Sequence, residues 1–349
     1  MSKVILDWDP GKQKGIIVSD FLEEIRQEFS IPNKNEDILR RKYGEGMYIP
    51  KRIHNITSTG RFDVGLYFDI YRVAKQSELE FEVITTDPLR DQVLRGHDID
   101  KFKLEPMSMP IRDIQYDSVY KGLKYGFGTF IIGTGGGKTY LMALLEQSYR
   151  QFLDEDNVTL VVLPAHLVEQ TTKDFIEYGI PESEISKWDG RNEFCKNKLI
   201  IVSYKTLHAK FGGSKTLKAK LPTNFKNLAE YETYTKEFKA KQKARKKLWN
   251  SSKKHYLSEL ADVDVILFDE IHMLKSQNKL NKIVDLFPAR HKFGFTGTLP
   301  EEKTDQWNII GRIGPILNNI SSFDLREKDY LAQVHTQILK LHYSEPIET

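Results

Sequence analysis

A glycine-rich stretch at residues 133–139, GTGGGKT, has the groups needed to bind a nucleoside triphosphate. Glycines let successive backbone N–H groups turn towards an anion, and the following helix adds its positive amino end. Lys138 would then reach the β- and γ-phosphates, while the Thr139 hydroxyl would hold Mg²⁺. The full phosphate-loop pattern has another glycine five positions before Gly137, where this chain has Ile132. The expected nucleotide contacts are Thr134, Gly135, Gly136, Gly137, Lys138 and Thr139.

Two adjacent carboxylates, Asp269 and Glu270, follow an apolar run at residues 265–268 and precede His272. A carboxylate at a strand end suits Mg²⁺ bound through water, and its neighbour suits the water that attacks a γ-phosphate. His272 is expected to link this site to neighbouring segments. The candidate catalytic residues are therefore Lys138, Asp269 and Glu270, and the candidate metal ligands are Thr139 and Asp269.

The elements that must position these motifs are strands that alternate with helical patterns from residue 111 onward. Continuously hydrophobic strands in repeated strand–helix units predict an α/β fold, with a parallel sheet covered by helices on both faces. Ligands of such folds bind beyond the carboxyl ends of the strands, where both motifs lie. The predicted strands are residues 129–132, 158–163, 199–202, 263–268 and 292–295.

The first 105 residues read as a small α/β accessory unit of their own. Helices are predicted at residues 20–29 and 68–76, and strands at residues 62–66 and 80–84. Two prolines in residues 104–110 favour a boundary there. The predicted division is residues 1–105, residues 106–325 with a basic insertion near 210–258, and a linker at residues 326–349.

Composition is that of an ordinary globular protein of 349 residues, with 40% hydrophobic and 29% charged residues. Cys195 is the single cysteine, which excludes an internal disulfide framework. The amino terminus lacks a long apolar run, so we expect a cytoplasmic protein without a signal peptide or membrane helix.

Positive charge is concentrated in one segment, although the net charge is only +3. Residues 205–254 hold 15 lysines and arginines but three acidic residues. Strong helix formers at residues 239–249 predict a basic helix, which is either a phosphate-binding surface or a solvated face. The nucleic-acid candidates on it are Lys241, Lys243, Arg245, Lys246 and Lys247.

The motifs together resemble those of the superfamily-two helicases and translocases of the DExH type. The phosphate loop resembles motif I of this family. The sequence Asp-Glu-Ile-His at residues 269–272 resembles motif II, and Thr-Gly-Thr at residues 296–298 resembles motif III. The resemblance implies a P-loop, RecA-like lobe that binds ATP and Mg²⁺. Residues 111–115 resemble the element in which a glutamine reads the adenine, which implies an adenine contact from Gln115 and a nucleotide contact from Arg112; a polar helix start capped by Asp113 is the alternative. The resemblance also implies that His272, Thr296 and Thr298 couple the nucleotide site to nucleic acid.

Two further stretches resemble helicase motifs that contact the nucleic-acid backbone. Residues 163–170 resemble motif Ia, which implies contacts from Pro164 and His166, and residues 202–207 resemble motif Ib, which implies contacts from Ser203 and Lys205. An ordinary strand-to-helix loop remains the alternative for each of them.

The chain resembles the phage UvsW-like repair and recombination helicases more closely, on the basis of residues 167–179, 293–300 and 307–315. That resemblance implies an ATP-dependent motor acting on branched or recombining DNA. It also implies an accessory DNA-binding role for the amino-terminal unit, against the alternative of a packing or partner module.

Helicases of this kind hydrolyse ATP between two RecA-like lobes, and the second lobe supplies an arginine finger. No arginine-bearing motif VI follows residue 298, so we expect weak turnover from this chain alone. Either the chain is part of a longer protein, or a second lobe or subunit completes the cleft in trans. Three alternatives stay open: an RNA helicase, a restriction-complex motor, and a non-catalytic module that binds DNA and a partner.

Overall fold

The structure is a computed structural model that describes residues 3–44, 47–76, 82–154, 156–212, 228–275, 280–287 and 289–332, without the side chains of residues 228–231 and 245. Most of the predicted linker at 326–349 and the part of the basic insertion at 213–227 lie outside the described residues.

The amino-terminal unit is built on a four-stranded mixed sheet in the order β5-β2-β1-β6. β1 pairs antiparallel with β2 and parallel with β6, and β3 and β4 form a separate antiparallel two-stranded sheet. Its elements are β1 (Lys3–Asp9), β2 (Lys14–Val18), α1 (Leu22–Glu28), β3 (Ser30–Pro32), α2 (Glu36–Tyr43), β4 (Arg52–His54), β5 (Arg61–Phe62), α3 (Tyr67–Gln76), β6 (Glu82–Thr85) and α4 (Asp87–Val93).

The second unit is a seven-stranded parallel sheet in the order β13-β7-β12-β11-β8-β10-β9. Its elements are α5 (Asp113–Tyr125), β7 (Phe127–Ile132), α6 (Lys138–Tyr149), β8 (Val158–Leu163), α7 (Val168–Tyr178), β9 (Ile185–Trp188), β10 (Leu199–Ser203), α8 (Tyr204–Phe211), α9 (Leu228–Glu259), β11 (Val263–Phe268), α10 (Asn281–Val284), β12 (His291–Thr296), α11 (Lys303–Ile313), β13 (Ile316–Ile320) and α12 (Ser322–Glu327).

Burial explains why these central strands form where the sequence predicts them. Every residue of β7 and β8 is buried, and two hydrophobic clusters lie on the two faces of the sheet. Such strands lose their unfavourable exposure to water only when both faces are covered by helices. The predicted α/β fold with a RecA-like parallel sheet and a smaller accessory sheet is confirmed.

Strand pairing brings the carboxyl ends of the central strands to one edge of the sheet. Thr296 of β12 is the pairing partner of Ile131 in β7, and Phe268 of β11 is opposite Gly294 of β12. Residues that follow β7, β11 and β12 therefore lie side by side. This edge carries all three motifs.

Two details of the sequence-based assignment differ from the structure. Residues 62–66 are not a strand, because β5 ends at Phe62 and Val64–Leu66 forms a 3₁₀ turn. Strands β1 to β4 of the amino-terminal unit were not predicted, and neither were β9 and β13, which form the two edges of the parallel sheet. Both are only partly buried, so they lack the continuous apolar run of a central strand.

The two units pack directly on each other through α11. Ile310 belongs to the hydrophobic cluster of the amino-terminal unit, and Trp307 packs against Phe29 with ring centroids 5.6 Å apart. Conversely, Phe102 and Leu104, which lie on the amino-terminal side of the predicted boundary, are buried in the core of the parallel-sheet unit. The proposed boundary near residue 105 is thus crossed by packing from both sides.

The basic helix predicted at residues 239–249 lies in the middle of α9, which is 32 residues long. Lys241, Lys243, Lys246 and Lys247 are exposed there, whereas Tyr256 and Leu257 near its end pack against the sheet's helices. Across the described part of the chain, no helix combines the length and the apolar character needed to cross a membrane.

The contact between the units gives a stability prediction at Gly65. A Cβ added there would lie 1.9 Å from the carbonyl oxygen of Ile310 and 2.9 Å from that of Gly311. Gly65→Ala should therefore lower the free energy of unfolding by about 1–3 kcal/mol, measured by urea denaturation. Gly190→Ala is the control, since its added Cβ meets nothing within 4 Å. Equal midpoints for the two variants would contradict the close approach.

Candidate nucleotide and nucleic-acid site

The glycine-rich loop connects the buried strand β7 to the amino end of α6. Gly137 caps α6 in the left-handed conformation, with φ of 81°, and a Cβ there would lie 2.4 Å from Nε2 of Gln115. At Gly136 an added Cβ would lie 2.3 Å from the side chain of Ile132. Larger residues would thus fill the turn that exposes its backbone N–H groups, so the loop fits a phosphate chain.

Loop residues that could hold a nucleotide lie where the motif requires them. Thr134 and Gly135 are exposed on the turn, while Lys138 and Thr139 are the first two residues of α6. Lys138 is only 16% exposed, so its ammonium group points along the turn and not into bulk solvent. A lysine and a hydroxyl at this position suit a triphosphate and its Mg²⁺ ion.

The two carboxylates stand at the end of β11, beside the loop. Glu270 adopts a left-handed backbone conformation with φ of 52°, and its N–H donates to Oδ1 of Asp269 at 2.8 Å. Oε1 of Glu270 lies 3.9 Å from Nζ of Lys138. Residues about 130 positions apart in the sequence are therefore in ion-pair range.

Asp269 is held in a position that is costly for a charged side chain. Its N–H donates to the carbonyl of Val162, and its own carbonyl accepts from the hydroxyl of the buried Tyr204 at 3.0 Å. Burial, followed by repulsion from Glu270, raises the pKa of Asp269 to about 6. A divalent cation at this carboxylate would remove that penalty, so the site fits Mg²⁺.

His272 connects the carboxylates to the strand β12. Its Nδ1 lies 3.0 Å from Oε2 of Glu270 and 3.3 Å from Oγ1 of Thr296. Buried Thr296 in turn donates to the carbonyl of Thr298, which is exposed. A continuous chain of contacts thus runs from Lys138 to the loop after β12, and all three predicted coupling residues belong to it.

A cavity of about 390 Å³ adjoins the phosphate loop at the start of α5. The sequence predicts an adenine contact from Gln115 and a nucleotide contact from Arg112, and both residues line this cavity. Oε1 of Gln115 accepts the backbone N–H of Arg112 at 3.0 Å, and Nη1 of Arg112 donates to the carbonyl of Gly135 at 3.1 Å. The remaining amide N–H groups of Gln115 face Gly137, which suits a purine base beside the loop.

Sequence reasoning missed the aromatic side chains of this cavity. Tyr140, Tyr178 and Tyr330 line it, and the guanidinium of Arg112 lies 4.9 Å from the ring centre of Tyr330. The Tyr330 hydroxyl donates to Asp113 at 2.7 Å, which ties the segment after α12 to α5. No sequence signal marks Tyr330, because it lies more than 200 positions from its partners.

The predicted nucleic-acid contacts occupy different environments. His166 and Lys205 are exposed beyond the ends of β8 and β10, and the buried Pro164 begins a turn whose carbonyl accepts from Leu167. The hydroxyl of Ser203 is buried and accepts from the N–H of Thr206, so it caps α8. The side chain of Arg245 lies outside the described residues.

A family model described as "Type III restriction enzyme, res subunit" matches residues 108–301. A structure of the UvsW helicase from bacteriophage T4 is similar with a TM-score of 0.62 and 16% identity over 90% of this chain and 99% of that chain. A second T4 UvsW structure gives a TM-score of 0.61 and 16% identity over 90% of this chain and 57% of that chain. The chain therefore spans little more than half of the longer UvsW chain, and the likeness to both is one of fold. No curated protein matches the sequence.

The raised pKa of Asp269 predicts that this carboxylate destabilises the metal-free protein. A shift from 3.8 to about 6 corresponds to about 3 kcal/mol, fully present above pH 6. Most of it is lost at pH 4, where the carboxyl group is protonated in the folded state and partly protonated in the unfolded state, and the rest is lost below pH 3.8. Asp269→Asn should therefore raise the unfolding free energy at pH 8 without Mg²⁺, and the gain should be several-fold smaller at pH 4.

Denaturant titration at the two pH values measures this gain. The exposed Asp156 provides the control variant, Asp156→Asn. A gain that is the same at pH 4 and pH 8 would show that the carboxylate is not the cause.

Proposed function

The chain belongs to the family of the type III restriction enzyme res subunit, a family of helicase-type ATPases, and from this premise we propose that it is the ATP-binding part of a DNA helicase or translocase that acts on branched or recombining DNA. The predicted resemblance to superfamily-two helicases is confirmed at the level of family and fold. The observation that carries the proposal is the meeting of Lys138, Glu270 and Thr296 at one sheet edge.

Each residue of the site has a separate role in ATP hydrolysis. Lys138 and the loop N–H groups are placed to bind the phosphates, and Thr139 and Asp269 would hold Mg²⁺, which when bound would supply positive charge at the phosphate oxygens. Glu270 is placed to orient a water molecule and accept its proton. His272, in contact with both Glu270 and Thr296, passes the state of this site to the loop after β12.

The structural similarity to T4 UvsW covers both units of this chain, and this supports DNA as the substrate. The similarity to T4 UvsW extends over 90% of this chain, and so beyond the residues matched by the family model into the amino-terminal unit. The exposed lysines of α9, together with His166 and Lys205, add positive charge that suits a phosphate backbone. An accessory DNA-binding role for the amino-terminal unit is part of the proposal.

A second candidate is a motor of a restriction complex, which the description of the matched family favours. Both candidates use the same ATP site and the same sequence-independent contacts with the DNA backbone. They differ in the partner subunits and in the junction recognised.

We further propose that a second RecA-like lobe, in the same or another polypeptide, completes the cleft. Arginine fingers contribute about 10³–10⁵-fold in related nucleotide hydrolases, so turnover by the described unit alone should be weak. Binding therefore tests the site more directly than turnover.

Replacing Lys138 by Ala should weaken Mg²⁺–ATP binding by about 10- to 100-fold, because charge-assisted contacts to the phosphates are lost. Glu270→Gln should keep the affinity, since Glu270 acts on water, and should abolish any turnover. Calorimetry at pH 7.5 measures the affinity, with the exposed Lys205→Ala as control. Unchanged affinity in Lys138→Ala would remove the basis of the proposal.

The nucleic-acid class is tested on the same protein with forked DNA, single-stranded DNA and single-stranded RNA of one sequence. The proposal expects tightest binding to the fork, and any turnover should be stimulated most by it. Preference for RNA in both measurements would favour the RNA-helicase alternative.

Charge reversal on α9 tests its predicted role in DNA binding. Changing Lys241, Lys243, Lys246 and Lys247 to Glu should reduce the slope of log affinity against log salt by about 0.9 for each lost contact with a duplex phosphate. Reversing the exposed Lys101 and Lys103 is the control, because they lie outside α9 and are not among the predicted nucleic-acid contacts. An unaltered slope would indicate that α9 is a solvated surface that does not contact DNA phosphates.

A further inference from the structure

A second cavity, of about 540 Å³, lies between the amino-terminal unit and the parallel-sheet unit. It is at the amino ends of the strands, because Phe127 begins β7 and Lys292 is the second residue of β12, and both line it. Six residues of strand at about 3.3 Å each separate this edge from the phosphate loop, which places the two sites about 20 Å apart. We call this cavity the interdomain cleft.

Basic side chains outnumber acidic ones in the interdomain cleft. Its charged lining residues are Lys12, Lys14, Asp63, Asp91, Arg95, Asp285, Arg290, Lys292 and Arg312. Two of the carboxylates are already paired, Asp63 with Lys14 and Asp285 with Arg312. Within the described part of the chain, Lys12, Arg95, Arg290 and Lys292 have no carboxylate within 4 Å.

Neutral groups hold the cations of the cleft in place. Arg95 donates from Nε to the carbonyl of Gln92 at 2.6 Å and from Nη1 to that of Arg290 at 3.1 Å, and its guanidinium lies 4.7 Å from the ring centre of Phe127. Nζ of Lys292 donates to the carbonyl of Val284 at 3.2 Å. These contacts fix the geometry of the cations without a direct ion pair, although Asp285 and Asp63 partly offset the charge of Lys292 from a greater distance.

Burial is the main cause of the lowered pKa values of the cleft cations, and neighbouring positive charge adds to it. Burial and then Arg95 lower the pKa of Lys292 to about 8 against the opposing effect of Asp285 and Asp63, and burial with repulsion from Arg290 lowers the pKa of Arg95 to about 10. Burial, with a contribution from Arg290, also lowers the pKa of His97. An anion in the cleft would stabilise the charged form of each of these groups.

We propose that the interdomain cleft binds a phosphate-bearing ligand, held by Arg95, Arg290 and Lys292. Guanidinium groups offer paired N–H donors that match phosphate oxygens, and a lysine adds a compact charge. The ligand bridges the two units, because Arg95 comes from the amino-terminal unit and the other two residues come from the parallel-sheet unit. Its source is either a free phosphate compound or the backbone of a nucleic acid.

The test uses the full chain carrying Lys138→Ala, so that the phosphate loop no longer dominates anion binding. Inorganic pyrophosphate is titrated by calorimetry, and a short DNA duplex is then tested as a competitor. Pyrophosphate should bind this protein, and the further change Arg290→Gln should weaken that binding about tenfold or more. Displacement by the duplex identifies a nucleic-acid backbone as the source, whereas absence of displacement identifies a free phosphate compound.

Two additional variants separate loss of the site from loss of the fold. Arg191→Gln changes an exposed arginine outside the cleft and should bind pyrophosphate as before. Lys292→Met keeps the side-chain volume and removes a buried charge, so it should weaken binding while raising the melting temperature. The proposal is overturned when neither probe binds the Lys138→Ala protein, or when Arg290→Gln and Lys292→Met leave binding of both probes unchanged.

Discussion

In-register parallel pairing of β7, β12 and β11 is the constraint on which the rest of this protein depends. Because the strands run in one direction and their ends coincide, the segments after Ile132, Phe268 and Thr296 must share one edge. No contact made by the loops themselves would bring these distant segments together. Burial of both sheet faces stabilises that pairing, so the hydrophobic effect indirectly sets the distance between Lys138 and Glu270.

At this edge of the parallel sheet, two residues are held in unfavourable environments. Asp269 is buried beside another carboxylate, and Glu270 is held in a left-handed conformation that non-glycine residues seldom adopt. Both features cost folding free energy, and both place oxygen atoms where a metal-bound triphosphate would use them. The surrounding core supplies the stability that allows this local cost.

Helix α11 connects the nucleotide-binding edge of the sheet to the interdomain cleft. It begins a few residues after Thr298, packs its middle against the amino-terminal unit through Trp307 and Ile310, and ends at the interdomain cleft next to Arg312. Strand β12 makes a similar connection, with Lys292 at one end and Thr296 at the other. The nucleotide edge and the basic cleft are therefore linked by rigid elements and not by loops.

The sequence by itself determined the central strands, the basic helix, the phosphate loop and the paired carboxylates, because each depends on a local pattern of burial or on residues adjacent in the chain. Edge strands β9 and β13 escaped prediction, since half-exposed strands have no continuous apolar run. Only the tertiary structure decided that Tyr330 closes the cavity beside Gln115, that Ser203 serves as a helix cap, and that Arg95 meets Arg290 and Lys292. Those contacts join residues far apart in the chain, and which residues meet is fixed by how sheets and helices pack, a property that no local pattern records.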